Sequence, residues 1–187
     1  GARPGLIDLA AVTMLILKKG TYFLTDTHVG IDPSPEQLAS NAVLTANMIK
    51  RFGMEPKVAL LSHSNFGSRM TPHSEKMRQT LQLLREQQPD LLVEGEMHAD
   101  AALSQEIRDR LFKNSAFEGE ANILVCPNLD SANIAYNMTK MLADGLPVGP
   151  ILVGTNYPAH ILTESTTVRG IVNMAAFASV EAMARKS

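Results

Sequence analysis

The chain alternates between short apolar runs and longer segments in which apolar residues recur every three or four positions. Strand-type runs are predicted at 12–17, 22–25, 57–62, 91–94, 121–126 and 149–153, and helical segments at 34–52, 71–89, 101–112, 131–143 and 167–184. Strands that are apolar throughout and separated by helices are typical of a mostly parallel sheet covered on both faces. Lys18, Lys19 and Gly20 separate the first two runs and predict one antiparallel hairpin. The pattern therefore predicts an α/β fold.

Two of the predicted helices begin with recognisable cap residues. Ser34 lies three residues before Gln37, which is the spacing of a capping box, and Pro35 follows it directly. Thr71 precedes Pro72 in the same way. The side chains of Ser34 and Thr71 can each accept from a backbone N–H that a helix leaves free at its amino end, so we expect helices to begin there.

Polar loops follow four of the predicted strands, at 62–69, 95–100, 127–133 and 154–167. Because parallel strands end at one edge of a sheet, these loops are expected to meet there and to hold a polar or anionic ligand. The residues singled out as ligand-binding are Ser62, Asn65, Gly67, Ser68, Arg69, Asn128, Asn133, Gly154, Asn156 and Thr163. Ser, Asn and Gly are also the usual residues of turns and caps, so a purely structural role for them stays open.

Other chemical arrangements have weaker support in the sequence. Glu94, Glu96 and His98 alternate, as extended metal ligands would, but no second ligand pair follows at a recognisable spacing, and a solvated strand end is favoured. Asp26 and His28 are interpreted in the same way, and no metal site is predicted. Cys126 follows Ile, Leu and Val, so packing is favoured over a role as a nucleophile.

Composition narrows the range of functions. With 187 residues and 45% hydrophobic residues the chain can bury a substantial core, and its net charge of −2 argues against a nucleic-acid partner. The single cysteine excludes an internal disulfide. The absence of an apolar run of membrane-spanning length and of a signal-peptide pattern leads us to expect a cytoplasmic protein without a membrane partner. Methionines in the helical segments are expected to fill the core.

Several segments together resemble a known family. In chain order they are FLTDTHVGIDPSPEQLA, EPKVALLSHSNFGS, PDLLVEGEMHADAA, NILVCPNLDSANIAYN and GPILVG. This set resembles the carboxyl-terminal part of phosphotransacetylase (phosphate acetyltransferase). It is still more similar to the phosphotransacetylase-like domain at the end of bacterial NADP-dependent malic enzymes.

The resemblance implies a lobe like those of isocitrate and isopropylmalate dehydrogenases. In that family two α/β lobes face a cleft. Residues 1–153 would form the second lobe, and residues 154–187 would return to a first lobe that is mostly absent from this chain.

The same resemblance places altered residues where the family has reactive ones. Active phosphotransacetylases carry a Ser-Arg pair after the GPIL strand, with an acidic residue seven positions beyond the serine. These positions fall on Thr163, Glu164 and Gly170. Losing a charge-assisted donor at an anion site costs about 1.5–3 kcal/mol, so efficient acetyl transfer is not expected. Arg169, near Gly170, remains a candidate replacement for the missing arginine.

The resemblance therefore implies a noncatalytic domain that regulates a malic enzyme, binds acetyl-CoA or a related ligand, and helps subunits associate as a homo-oligomer, with a dimer formed through this domain. No cofactor is expected in this domain; NADP and Mg or Mn would belong to the malic-enzyme domain. Two alternatives stay open: an active phosphate acetyltransferase, and a purely structural dimerisation module. For that module, exposed apolar surface is expected on the hairpin at 12–24 or on the last helix.

Overall fold

The computed structural model describes residues 9–164 and 166–184, which form an α/β fold around one six-stranded sheet. The strands are β1 (Ala10–Ile16), β2 (Thr21–Thr25), β3 (Lys57–Leu61), β4 (Leu92–Met97), β5 (Ile123–Val125) and β6 (Leu146–Val153). The helices are α1 (Pro35–Lys50), α2 (Pro72–Gln87), α3 (Ala99–Ala102), α4 (Gln105–Leu111), α5 (Leu129–Leu142) and α6 (Val168–Ala184). Three parts of the chain lie outside the described residues. They are the first eight residues of the predicted 1–153 lobe, and Ser165 and the last three residues of the predicted 154–187 segment.

The strand order across the sheet is β4-β3-β5-β2-β1-β6. Parallel pairing joins β2 to β5, β5 to β3 and β3 to β4. Strand β1 is antiparallel to both of its neighbours, β2 and β6, so β6 runs in the same direction as β2. The mostly parallel sheet and the β1–β2 hairpin are thus confirmed. All five parallel strands end at one edge of the sheet.

Helices cover both faces of the sheet, as the apolar strands predict. Side chains of α1, α2 and α6, such as Leu38, Leu84 and Met174, belong to the core on one face. Small residues of α3 and α5, such as Ala101 and Ala132, belong to the core on the other face. Among the described residues, no helix combines the length and hydropathy needed to span a membrane.

The two predicted helix caps are confirmed, but several predicted elements have other bounds in the structure. Helix α5 begins at Leu129 rather than at 131, strand β6 begins at Leu146 rather than at 149, and β5 is shorter than the strand predicted at 121–126. Ser34 and Thr71 both form capping boxes at the starts of α1 and α2. The predicted helix at 101–112 is two helices, because Ser104 interrupts the first and caps the second. The strand predicted at 91–94 continues to Met97 as β4. Glu94 and Glu96 therefore lie inside the sheet, each 1% exposed, and the expectation of a solvated strand end is wrong for both.

The methionines divide between core and surface. The buried ones are Met48, Met77 and Met174, and the exposed ones are Met138, Met141 and Met183, which are 56%, 75% and 63% exposed. The expectation of core packing is therefore wrong for the second group. Helical spacing indicates which residues share a face, but it does not say which face another layer covers.

Arg108 is a buried cation with no acidic hydrogen-bond partner in the described residues. Its guanidinium donates to the carbonyl oxygens of Ala101 (3.1 Å), Phe117 (3.1 Å) and Gly119 (2.7 Å) and lies over the ring of Phe117. Desolvation lowers the pKa of this arginine from its ordinary value. Because Arg108 ties α4 to the segment before β5, it fixes where β5 enters the sheet.

Candidate ligand-binding edge of the sheet

We use the name carboxyl edge for the side of the sheet that carries the loops 26–34, 62–71, 126–128 and 154–167, together with His98 after β4. Two of the loops predicted from the sequence, at 62–69 and 154–167, are there. Of the other two, 95–100 is mostly strand β4 and helix α3, and 127–133 is mostly helix α5, which begins at Leu129. The sequence pattern missed the loop after β2, which lies between the end of β5 and the start of β1.

The predicted site residues fall into two separate groups. Loops 62–71 and 126–128 are neighbours because β3 and β5 are paired. Strand β6 lies three strand positions from β5, which is roughly 14 Å at the usual strand spacing. Gly154 is buried at the end of β6, whereas Asn156 and Thr163 are exposed beyond it. A ligand touching both groups would therefore have to extend along the edge.

Polar side chains of the loop 62–71 bond mainly to one another. The amide of Ser64 donates to Ser62 Oγ (3.2 Å), and that of Asn65 donates to Ser68 Oγ (3.0 Å). Asn65 Oδ1 accepts from the backbone amide of His98 at 2.7 Å. Ser62, Asn65 and Ser68 thus have structural roles, while the exposed Gly67 and Arg69 point to the part of the loop that a ligand can reach.

The buried carboxylate of Glu96 holds this loop in place. Its Oε1 atom accepts from Ser64 Oγ (2.6 Å), the amide of Gly67 (2.9 Å) and Arg78 Nη1 on α2 (3.0 Å). Arg78 also pairs with Glu75 at 2.8 Å. A charge this deeply buried is tolerated because its donors replace water. Glu96 is therefore a positioning residue for the loop.

Glu94 has a similar structural role. It pairs with Arg85 Nη2 at 3.0 Å and accepts from the amide of Ala116 at 3.1 Å. His98 Nε2 contacts the carbonyl oxygen of His63 at 2.9 Å. Within residues 9–164 and 166–184, no three His, Cys, Asp or Glu side chains form a group that could hold a metal ion.

A polar crevice of about 260 Å³ opens between the loop after β2 and the start of α5. Its lining comprises Thr27, His28, Leu129, Asp130, Asn133 and Ile134. The loop after β2 leads to α1 on one face of the sheet, whereas the loop after β5 leads to α5 on the other. Adjacent loops that diverge in this way create the crevice in which open α/β sheets bind ligands. Of the predicted site residues, Asn133 lines it directly.

His28 is the most distinctive side chain in the crevice. Its Nδ1 lies 2.9 Å from the hydroxyl of Thr27, which lies 2.8 Å from the buried hydroxyl of Thr13. Burial lowers the pKa of His28, and the nearby carboxylate of Asp26 opposes that shift only in part. Burial therefore favours the neutral form of the imidazole. The segment Asp-Thr-His directly after a strand was the sequence signal for this position, although it suggested metal ligands.

Asp26 itself forms the turn that presents His28. Its carboxylate accepts from the amides of Ala11 (3.1 Å), His28 (2.9 Å), Val29 (3.1 Å) and Gly30 (2.8 Å). These bonds link the start of β1 to the loop after β2. Asp26 is 3% exposed and is fully occupied by the backbone, so it stabilises the crevice without lining it.

The remaining predicted residues near β5 are also engaged in the fold. Asn128 caps α5, since its Oδ1 accepts from the amide of Ser131 at 2.9 Å. Cys126 is buried, and burial raises the pKa of its thiol to about 12. A thiol with this pKa carries almost no thiolate at neutral pH, which supports packing over nucleophilic chemistry.

The three positions that the family resemblance links to acetyl transfer lie in the loop after β6 and in the first turn of α6. The amide and the hydroxyl of Thr163 lie 3.0 Å and 3.2 Å from Thr166 Oγ1. Glu164 is exposed. A Cβ atom at Gly170 would lie 2.9 Å from Thr166 Cγ2, so a side chain there requires Thr166 to move. Arg169 is exposed in the first turn of α6.

Taken together, the strands and helices define an α/β fold whose polar loops gather at the carboxyl edge of one sheet. The family model described as "Phosphate acetyl/butaryl transferase" matches residues 1–179. The chain belongs to the phosphate acetyl/butaryl transferase family. The predicted family is thereby confirmed.

Relatives of two kinds match almost the whole chain. It is 53% identical to an NAD-dependent malic enzyme of Rhizobium meliloti and 48% identical to an NADP-dependent malic enzyme of Escherichia coli, over 97% of this chain in both cases. It is 30% identical to the phosphate acetyltransferase of Bacillus subtilis over 97% of the chain. The chain spans 24% of each malic enzyme, where it matches the carboxyl-terminal phosphotransacetylase-like region, and 56% of the transferase.

Solved structures agree with this assignment. A phosphotransacetylase from Streptococcus pyogenes superposes with a TM-score of 0.92 at 33% identity, covering 97% of this chain and 56% of the other. The EutD phosphotransacetylase from Staphylococcus aureus gives a TM-score of 0.90 at 27% identity with the same coverage.

Replacing Glu96 by Ala is expected to destabilise the protein by about 3 kcal/mol, because Ser64, Gly67 and Arg78 lose a shared buried acceptor. Urea unfolding measures the change. Glu75→Ala is the matched control, since it removes the exposed partner of the same arginine and should cost less than about 0.5 kcal/mol. Equal effects of the two substitutions would show that Glu96 does not anchor the loop.

Proposed function

We propose that this chain is a noncatalytic regulatory and oligomerisation domain of a malic enzyme, and that its carboxyl edge binds acetyl-CoA or a related ligand. The parent protein would decarboxylate malate oxidatively to pyruvate in a separate region that holds the nicotinamide nucleotide and Mg or Mn. NADP is the nucleotide expected for the parent protein, as in the names of two of its relatives, whereas a third relative is named for NAD.

One observation carries the noncatalytic part of the proposal. At the positions where the family resemblance expects serine, arginine and an acid, the chain has Thr163, Glu164 and Gly170. Glutamate in place of arginine puts a negative charge where a phosphate would bind. A carboxylate at position 170 would displace Thr166, which bonds to Thr163.

Regulation requires a ligand that binds two states of the assembly with different affinity. The crevice beside His28 offers an imidazole, the side chain of Asn133 and the amino end of the α5 helix. The exposed Arg69 adds a positive charge farther along the edge. An extended ligand that carries both amide and phosphate groups, such as a coenzyme A thioester, matches these donors.

The second candidate function is an active phosphate acetyltransferase. It is favoured by relatives that bear that name and by Arg169, which lies one residue before Gly170 at the start of α6. An arginine there could approach an anion bound by the preceding loop.

Acetyl-CoA and phosphate should give no robust thiol release with this chain or with the complete protein that carries it. The reason is the missing cation at position 164 and the missing acid at position 170. A dithiobis-nitrobenzoate assay measures the thiol, with the Bacillus subtilis phosphate acetyltransferase as the positive control. Turnover near the typical enzyme value of about 10 per second would overturn the noncatalytic assignment. Loss of that turnover in Arg169→Gln would assign it to Arg169.

Calorimetric titration of the complete protein with acetyl-CoA should give a saturable heat. Asn133→Ala should weaken binding by about tenfold, because a hydrogen bond to the ligand is lost. Asn114→Ala is the matched control, since Asn114 is an exposed asparagine in the segment after α4 and does not line the crevice. No heat with wild type would reject acetyl-CoA as the ligand, and equal weakening by the two variants would place its site elsewhere.

The proposal that this domain helps subunits associate rests on the outer face of α5. Its exposed apolar side chains, at spacings of three and four residues, are Ile134 (58%), Met138 (56%), Met141 (75%) and Leu142 (82%). One continuous apolar face of this kind is typical of an interface. The hairpin is less suitable than expected, since Val12, Leu15 and Phe23 are fully buried. Helix α6, the other expected surface, does expose Val168, Val172 and Val180.

We expect Met138→Glu to convert a dimer of this chain into a monomer, because a charge buried at an interface is costly. Size-exclusion chromatography with light scattering measures the mass. Met70→Glu is the control, since Met70 is 79% exposed but lies in the loop before α2. A dimer that survives Met138→Glu would exclude this face of α5 as the interface.

A further inference from the structure

Met70, in the loop before α2, is the most exposed of the described methionines. It is 79% exposed, compared with 75% for Met141, 63% for Met183 and 56% for Met138. Oxidants convert methionine to its sulfoxide, which is polar and can be reduced again. The position of Met70 leaves its sulfur open to small oxidants in the solvent.

A guanidinium N–H is directed at this sulfur. Arg78 Nη2, on α2, lies 3.4 Å from Met70 Sδ and donates a hydrogen bond to it. Within residues 9–164 and 166–184, no other methionine sulfur accepts a hydrogen bond. A thioether sulfur is a weak acceptor, so this is the weakest of the bonds that Arg78 makes.

The remaining N–H groups of Arg78 already have oxygen acceptors. Nη1 donates to Glu96 Oε1 (3.0 Å) and to the carbonyl oxygen of Arg69 (3.3 Å). Nε and Nη2 both donate to Glu75 Oε2, at 3.2 Å and 2.8 Å. A guanidinium has five N–H donors, and the fifth is the one directed at Met70. A strong acceptor at this position would complete the set without displacing a carboxylate.

We propose that Met70 is a site of reversible oxidation by hydroperoxides, and that the oxygen of its sulfoxide takes the place of the sulfur as the acceptor for Arg78. The sulfur lone pair attacks the terminal oxygen of the hydroperoxide, so the S–O bond forms as the O–O bond breaks. The sulfur is oxidised, the hydroperoxide is reduced to an alcohol, and the proton of the attacked oxygen moves to the leaving oxygen. Methionine sulfoxide reductases catalyse the return to the thioether.

The sulfoxide strengthens a link that the fold already has. Arg78 joins α2 to the carbonyl of Arg69 and to Glu96, which holds the loop 62–71. Oxidation of a buried methionine disrupts a core, but Met70 is exposed and loses no core packing. A hydrogen bond to a charged group is stronger than one between neutral groups. Oxidation of Met70 therefore tightens this loop, whatever ligand the carboxyl edge binds.

Hydrogen peroxide is the probe, and mass spectrometry of peptides measures the oxidation of each methionine. Met70 should be oxidised at least as fast as Met183. Deuterium exchange of the amides of Gly67 and Arg69, which bond to Glu96 and Ser64 within the loop, should then be slower by at least about threefold. Treatment with methionine sulfoxide reductases should restore the original rates. Slower oxidation of Met70 than of Met183, or unchanged or faster exchange after oxidation, would overturn the proposal.

Two variants separate the bond to Arg78 from other effects of peroxide. Met70→Leu is the matched control, because its other methionines are oxidised while position 70 has no sulfur, and its loop should exchange at the same rate before and after treatment. Met70→Gln supplies a carbonyl oxygen and should slow exchange without peroxide. The guanidinium resonances of Arg78 should shift in oxidised wild type and not in treated Met70→Leu. Equal slowing in Met70→Leu, or unchanged Arg78 resonances in oxidised wild type, would reject the bond.

Discussion

The antiparallel placement of β1 between β2 and β6 determines where the functional loops of this chain lie. Because β1 reverses direction relative to both neighbours, β6 runs parallel to β2 and ends at the carboxyl edge. The pairing contains a register shift near Val12, and there Gly149 adopts a φ of +128°. A Cβ atom at that position would lie 3.0 Å from the carbonyl oxygen of Val12. A glycine at this irregularity lets β6 approach β1 closely enough to complete the sheet.

The loops at this edge are built mainly from hydrogen bonds within the protein. Glu96 holds the loop after β3, Asp26 holds the loop after β2, and Asn128 caps the helix after β5. A ligand that binds to loops already fixed in this way avoids much of the entropic cost of ordering them. This arrangement favours binding, and it explains why many polar residues of the edge are unavailable for chemistry.

Charged side chains that the fold buries are used for structure rather than catalysis. Glu94, Glu96 and Arg108 are almost completely buried, and each bonds to groups of the backbone or to arginines of α2. The position where an active transferase is expected to carry its arginine has Glu164 instead. A regulatory domain derived from an enzyme would be expected to lose the cation used in catalysis and to keep the charges that stabilise the fold. The charges of this chain match that expectation of the proposed function.

Sequence pattern alone determined the fold class, the hairpin, the helix caps at Ser34 and Thr71, and the position of the polar loops after β3 and β6. These features depend on residues close together in the chain, because the spacing of apolar residues and the capping of helix ends are local properties of the sequence. Only the tertiary structure decided that Glu94 and Glu96 are buried, that Met138 and Met141 are exposed, and that His28 meets α5. Those outcomes depend on which strands and helices become neighbours. Strand order decides which elements become neighbours, and no local sequence pattern encodes strand order.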